Sequence, residues 1–248
     1  SELSNNLNKH LESLKSKNTI LVDTNLTICK LGLYKSVDYR KFYNSKSLYS
    51  NDFFIHYVKE ILPVFLSVNG KAKKVLVMDC DNTLWSGILG EDGFDGIKMN
   101  KETFPGKIFH EIQQILLSLK SQGVLLAICS KNNLEDVEDV LNNHPDFILN
   151  SDDFVIKKVN WNDKVSNLKE ISKELNLGID SLVFVDDSKF EIGLVKDTLP
   201  LVENLLVPEN LIQYPKELYG LQSYFYKTSY SKEDSLKTKM YSDEKKRN

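Results

Sequence analysis

The chain has 248 residues, 41% hydrophobic and 27% charged, proportions ordinary for a globular protein with one large domain or two modest ones. A net charge of −3 leaves no broad basic footprint, so nucleic acid is not an expected partner. No apolar run approaches a membrane span, and no leader or anchor is expected.

Residues 1–70 read as a small α/β region. A polar, helix-like opening leads to a strand candidate, Thr19 to Val22. An aromatic stretch with Tyr34, Tyr39, Phe42 and Tyr43 follows. A helix is expected over Asp52 to Phe65, with Phe53, Tyr57, Ile61 and Val64 on one face. These pieces make a thin core, so the region reads as part of a larger unit. The basic stretch Lys71 to Lys74 is most simply a solvated loop before the next strand.

From residue 71 to about 220 the pattern becomes regular α/β. Val75-Leu76-Val77-Met78 runs into Asp79-Cys80-Asp81-Asn82-Thr83. Val124 to Ile128 runs through Cys129 into Ser130-Lys131, and Leu182 to Val185 runs into Asp186-Asp187. Short apolar runs bounded by polar residues are the signature of buried parallel strands. Helical spacing links Ile108, Ile112, Ile115, Leu116 and Leu119. It recurs in Leu134, Val137, Val140 and Leu141, with Asn133 as N-cap. A third helix holds Val165, Leu168, Ile171 and Leu175, capped by Asp163. Strand and helix in alternation predict a Rossmann-like, mainly parallel sheet with helices on both faces. Residues 221–248 are charged and sparse in apolar side chains, and read as a polar helical tail.

Ligands of open α/β sheets sit at the carboxyl ends of the strands. Asp79, Asp81, Ser130, Asp186 and Asp187 are therefore expected to converge on one crevice, with Lys164 reaching in from a helix start. Two carboxylates one residue apart suit phosphoryl transfer: Asp79 attacks phosphorus, and Asp81 manages protons. Such a site repels a phosphate dianion unless positive charge is supplied. Mg²⁺ suits hard oxygen ligands, here Asp79, the backbone carbonyl of Asp81, and Asp187 with Asp186. Lys164 and the Ser130 hydroxyl can neutralise or donate to phosphoryl oxygens. Singly, each of these residues is common in turns and caps. Their joint order carries the enzyme reading.

These residues resemble the four motifs of the haloacid dehalogenase superfamily over about Lys73 to Pro208. A narrower similarity is to its FkbH-like branch (subfamily IIIC). It lies in Asp81-Asn82-Thr83-Leu84-Trp85-Ser86-Gly87, Gly90 to Gly93, Cys129 to Asn133, Asn160-Trp161 with Lys164, Val183 to Asp187, and the tail from Ser231 to Tyr241. The resemblance implies Mg²⁺-dependent chemistry with Asp187, and Glu191 four positions on, in the fourth motif. Asp81, Asn82, Thr83, Trp85, Lys131 and Asn132 are expected to line the substrate. It further implies glyceryl transfer from 1,3-bisphosphoglycerate to an acyl carrier protein, with a protein cysteine carrying the acyl group. Cys129 is the carrier candidate, beside Ser130. Strand alternation turns both Cys129 and Cys80 toward the core.

The branch's upstream SGNH-hydrolase-like region is matched here by its last part alone, with Asp23 and Asp38 to Tyr43. No Gly-Asp-Ser motif accompanies it, so esterase activity is not expected. The abrupt start reads as a piece of a longer protein or a shortened homologue. Ser86 stands where that branch commonly has glycine. Between Ser130 and Lys164 there is no room for a separate cap domain, so a minimal cap is expected. Leu84 to Asn100 reads as a small flap, with Trp85 as its lid residue or its buried anchor. Two alternatives stand beside glyceryl transfer: a simple phosphatase on phosphomonoesters, and a non-catalytic module that docks a carrier protein. Three cysteines without a close pair argue against zinc and against a disulfide scaffold, and fit a cytoplasmic protein.

Overall fold

The strand Val75–Met78 (β1) is buried along its whole length, which marks it as the centre of a sheet covered on both faces. The structure, a computed structural model, describes residues 2–16 and 19–226. It contains two compact units, one ending at Leu66 and one starting at Ser67.

The first unit is helical: Glu2–Ser13 (α1), Thr24–Leu31 (α2), Leu33–Ser36 (α3), Tyr39–Ser45 (α4) and Asn51–Val68 (α5), which runs past the boundary. The expected strand at Thr19 to Val22 does not form, so this region is not α/β among the described residues. A strand needs a paired neighbour. The described part of this unit offers one isolated bridge, Val37 with Tyr49, and Ile20 and Leu21 stay exposed. Asp23 and Asp38 are helix caps, accepting from the backbone N–H of Asn25 at 2.9 Å and of Arg40 at 3.1 Å. The core is thin, as its composition predicts. Phe53 is buried and stacks on Tyr49 at 4.0 Å.

The second unit continues from β1 with Leu89–Asp92 (α6), Gly106–Ser121 (α7), Leu125–Ser130 (β2), Leu134–Asn143 (α8) and Phe154–Val159 (β3). Lys164–Glu174 (α9), Leu182–Asp186 (β4), Lys189–Thr198 (α10), Glu203–Leu206 (β5) and Tyr214–Gly220 (α11) complete it. The five strands are all parallel in the order β3-β2-β1-β4-β5. Alternation sorts the side chains between two cores. Leu76, Met78, Leu126, Ile128, Val183 and Val185 pack with α7, α8 and α11. Val75, Val77, Ala127, Cys129, Leu182 and Phe184 pack with α9 and α10. Helices therefore cover both faces, and the site residues are left at the carboxyl edge.

Leu84 to Asn100 is fastened to the domain. Leu84, Trp85, Leu89, Ile97 and Met99 are all buried. Ser86 and Lys98 exchange two backbone hydrogen bonds of 2.9 Å. Trp85 is thus the anchor, and the lid reading is corrected by its complete burial. The positive φ values of this loop fall at Gly87 (104°) and Gly93 (71°), so Ser86 occupies its place without backbone strain. Between β2 and α9 lie α8, a single 3-10 turn at Ser151–Asp153 and β3, with no cap domain. The tail from residue 227, including the Ser231 to Tyr241 similarity, lies outside the described residues. No helix among the described residues is long and apolar enough to cross a membrane.

Gly96 closes this loop against Asp92: a Cβ there would lie 2.1 Å from the Asp92 carbonyl oxygen. Gly96→Ala should destabilise the domain by about 1–3 kcal/mol, read as a lower urea midpoint at unchanged slope.

Candidate active site

Three carboxylates converge at the carboxyl edge. Asp79 follows β1, Asp186 ends β4, and Asp187 succeeds it; their oxygens lie within 4.8 Å of one another. The parallel pairing of β1 with β4 places the two strand ends side by side. Lys164, the first residue of α9, lies between the acids. Its Nζ is 2.9 Å from Asp79 Oδ1 and 2.5 Å from Asp186 Oδ2. Asp163 holds that helix start by accepting from Ser166 N–H at 2.8 Å. Asp186 also accepts from Ser188 N–H at 2.8 Å.

These groups titrate unlike free side chains. Burial pushes Asp79 up to about 6, against the downward pull of Lys164 and the Ser130 hydroxyl, with Asp186 adding repulsion. Burial likewise raises Asp186, though Lys164 opposes it. Asp187, exposed on one side, is raised by partial desolvation and by Asp79, while a hydrogen bond from Asn82 opposes. Desolvation alone would lower Lys164, but Asp79 and Asp186 outweigh it and hold the ammonium above its ordinary value. Three carboxylates against one ammonium leave an excess of negative charge in a buried setting. That donor set fits a hard divalent cation such as Mg²⁺.

Asp81 stands apart from this trio. Its Oδ1 accepts from Trp85 Nε1–H and from Leu89 N–H, each at 3.0 Å, and its Oδ2 from Asn132 Nδ2–H at 2.9 Å. Its carboxylate is therefore aimed by three donors and does not join the metal-type cluster. Asn132, expected to touch substrate, holds Asp81 and is nearly buried. Ser130 ends β2, also nearly buried; its hydroxyl accepts from Asn132 Nδ2–H at 3.5 Å and draws the Asp79 carboxyl downward. Asn82, at φ 51°, accepts from Gly87 N–H at 3.0 Å and shapes the turn after β1.

Several expected residues are placed elsewhere. Thr83 is fully buried, with its carbonyl taking the Tyr214 hydroxyl at 3.1 Å, so a substrate-lining role is closed to it. Lys131 pairs with Glu191 at 2.6 Å. Glu191 accordingly belongs to that ion pair and not to the cluster with Asp187. Cys129 has no exposed surface and sits in the core beside α9, where burial pushes its thiol well up. An acyl-carrying role needs access and a thiolate, and Cys129 has neither. Cys80 is equally buried in the opposite core, and its thiol is raised for the same reason. Asn133 sits at the N-cap of α8, but its amide bonds Asp136 and accepts from Trp161 instead of capping.

Two supporting residues escape the sequence reading. Tyr214, on α11, lies 131 positions from the carbonyl it holds, and nothing local announces it. Ser188 did carry a signal: Ser188-Lys189-Phe190-Glu191 is a Ser-x-x-Glu helix start. Its hydroxyl accepts from Glu191 N–H at 3.3 Å.

No protein-family model and no curated protein matches the chain. Among solved structures it is similar to the N-terminal part of the protein BF1531 from Bacteroides fragilis. That crystal structure contains a phosphatase domain and is complexed with Mg. The two share 30% identity at a TM-score of 0.79, over 91% of this chain and 60% of that one. This chain thus spans less than two thirds of its neighbour. The likeness supports the haloacid-dehalogenase-like reading of the α/β fold.

Asp79 links the site to stability. Its carboxyl titrates at about 6 when folded, against an ordinary 3.8, so the native state takes up a proton first and stability falls as pH rises through that window. In the metal-free protein, Asp79→Asn should raise the melting temperature near neutral pH. The gain should shrink toward zero as pH is lowered to about 4, followed by thermal melts across that range.

Proposed function

We propose that this chain catalyses Mg²⁺-dependent phosphoryl transfer through an aspartyl-phosphate on Asp79, acting as a phosphatase on small phosphomonoesters. The observation that carries the reading is the buried Asp79 carboxylate, 2.9 Å from Lys164 and clustered with Asp186 and Asp187. The Mg-complexed phosphatase domain of the B. fragilis neighbour supports it.

In this reading Asp79 attacks phosphorus, its Oδ forming the new P–O bond as the substrate's ester oxygen leaves. Asp81, oriented by Trp85, Leu89 and Asn132, delivers a proton to that oxygen. It then takes one back from the water that attacks the phosphoenzyme and returns Asp79. Lys164 and the Ser130 hydroxyl donate to the equatorial phosphoryl oxygens. Asp186, closed from solvent, positions Lys164. Asp79, Asp187 and the Asp81 carbonyl would hold Mg²⁺, which supplies charge to offset the repulsion between carboxylates and phosphate.

The narrower reading, FkbH-like glyceryl transfer from 1,3-bisphosphoglycerate to an acyl carrier protein, rests on the motif resemblance. Cys80 and Cys129 are both closed, so neither thiol of the α/β unit can carry the acyl group. That leaves the exposed Cys29 of the first unit, or direct transfer from the acyl phosphate to the partner's thiol.

Turnover of 4-nitrophenyl phosphate should require Mg²⁺ and fall to background in Asp79→Asn. Turnover persisting in that variant would overturn the reading. The same preparation, given 1,3-bisphosphoglycerate and a holo carrier protein, separates the two versions by intact mass. Acylated carrier establishes the transferase; free phosphate with unmodified carrier leaves the phosphatase.

A further inference from the structure

The two tryptophans of the chain have opposite settings. Trp85 is fully buried, whereas Trp161 is 71% exposed and belongs to neither core. Yet the segment carrying Trp161 is firmly held. Asn160 N–H donates to the Ser130 carbonyl at 3.1 Å. The side-chain amides of Asn160 and Asn167 exchange hydrogen bonds of 3.2 and 3.0 Å, and Asn162 N–H donates to Asn160 Oδ1 at 3.0 Å. Three residues beyond Trp161 comes Lys164, whose ammonium lies on Asp79.

Trp161 therefore stands between two fixed points of the phosphoryl site, on the loop that leaves the carboxyl end of β3. Its indole N–H donates to Asn133 Oδ1 at 3.3 Å, on the loop that leaves β2. That bond ties the ring across the two loops and uses its polar handle. With its N–H so engaged and the residue largely exposed, the indole offers a surface suited to another flat or apolar group. Both loops leave the carboxyl ends of their strands, the edge at which Lys164 meets Asp79 and at which ligands of such sheets sit.

We propose that Trp161 is a specificity-determining residue: its ring face packs against the apolar or planar part of the substrate's leaving group. Substrates bearing an aryl or comparable apolar group are favoured over purely polar phosphates. The inference rests on the phosphoryl-transfer reading for the position of the phosphate, but it makes its own binding claim.

The probes are phenylphosphonate, which is not hydrolysed, and inorganic phosphate, each titrated with Mg²⁺ by calorimetry and intrinsic fluorescence. Phenylphosphonate should produce a saturable change in tryptophan emission that is diminished in Trp161→Phe, where Trp85 on Asp81 is the tryptophan left to report. In Trp161→Ala, its Kd relative to that of phosphate should rise roughly tenfold, the scale of one aromatic contact. An unchanged Kd ratio, an emission change undiminished in Trp161→Phe, or no binding of phenylphosphonate would each overturn the proposal. Turnover of phenyl phosphate, followed in parallel, reports separately on the chemistry. Trp161-dependent binding without turnover would refute the phosphoryl-transfer reading and leave the binding site standing.

Discussion

One lysine makes the rest of this site tenable. Desolvating a carboxylate costs several kcal/mol, and here Asp79 and Asp186 are both shut away from water at the end of adjacent strands. The Lys164 ammonium lies within hydrogen-bonding distance of both. It also lies 5.8 Å from the centre of the Phe184 ring, over its face. The placement depends on the start of α9, which Asp163 caps, and on the Asn160–Asn167 amide pair beneath it. Charge compensation, helix capping and sheet register thus form one constraint. Moving any of these elements would leave a buried carboxylate without its counter-charge.

Strand alternation explains what the site excludes as well as what it contains. On β2, Cys129 points into one core, and Ser130 is the last residue of the strand, where it lowers the Asp79 carboxyl's titration. After β1, Asp79 joins the acidic cluster while Cys80 enters the opposite core. The sulfur atoms of Cys80 and Cys129 are therefore packing groups, and the oxygens and the ammonium are the groups gathered at the carboxyl edge. Asp81 gains its separate setting from the turn at Asn82 and Gly87. That turn brings Trp85 and Leu89 back onto its carboxylate, and Asn132 approaches from the next strand's loop. Two carboxylates one residue apart consequently meet different surroundings, as the proposed roles in nucleophilic attack and proton transfer require.

The central strands were legible because burial on both faces demands unbroken apolar runs, and β1, β2 and β4 have them. The outer strands were harder to read. β3 carries Lys157 and Lys158, and β5 begins Glu203-Asn204 and is only half-buried, so neither stands out from its surroundings. The run Thr19 to Val22 misled for the converse reason: apolar content favours a strand, but pairing creates one. Within the site, each acid was recognisable from its place at a strand end. The hydrogen bonds that differentiate the acids were not, since Asn132 lies 51 positions from Asp81 and Lys131 lies 60 from Glu191. Such contacts depend on loop paths, which carry no periodic signal. Alternation did indicate the inward turn of Cys129, and packing against α9 made that burial complete.

Whether Asp79 carries the phosphoryl group, as proposed, is read by borohydride trapping during turnover of 4-nitrophenyl phosphate with Mg²⁺, followed by peptide mass mapping. Reduction converts an acyl phosphate on an aspartate to homoserine, so homoserine is expected at position 79 alone. Turnover without homoserine there, or with homoserine at another aspartate, would contradict it.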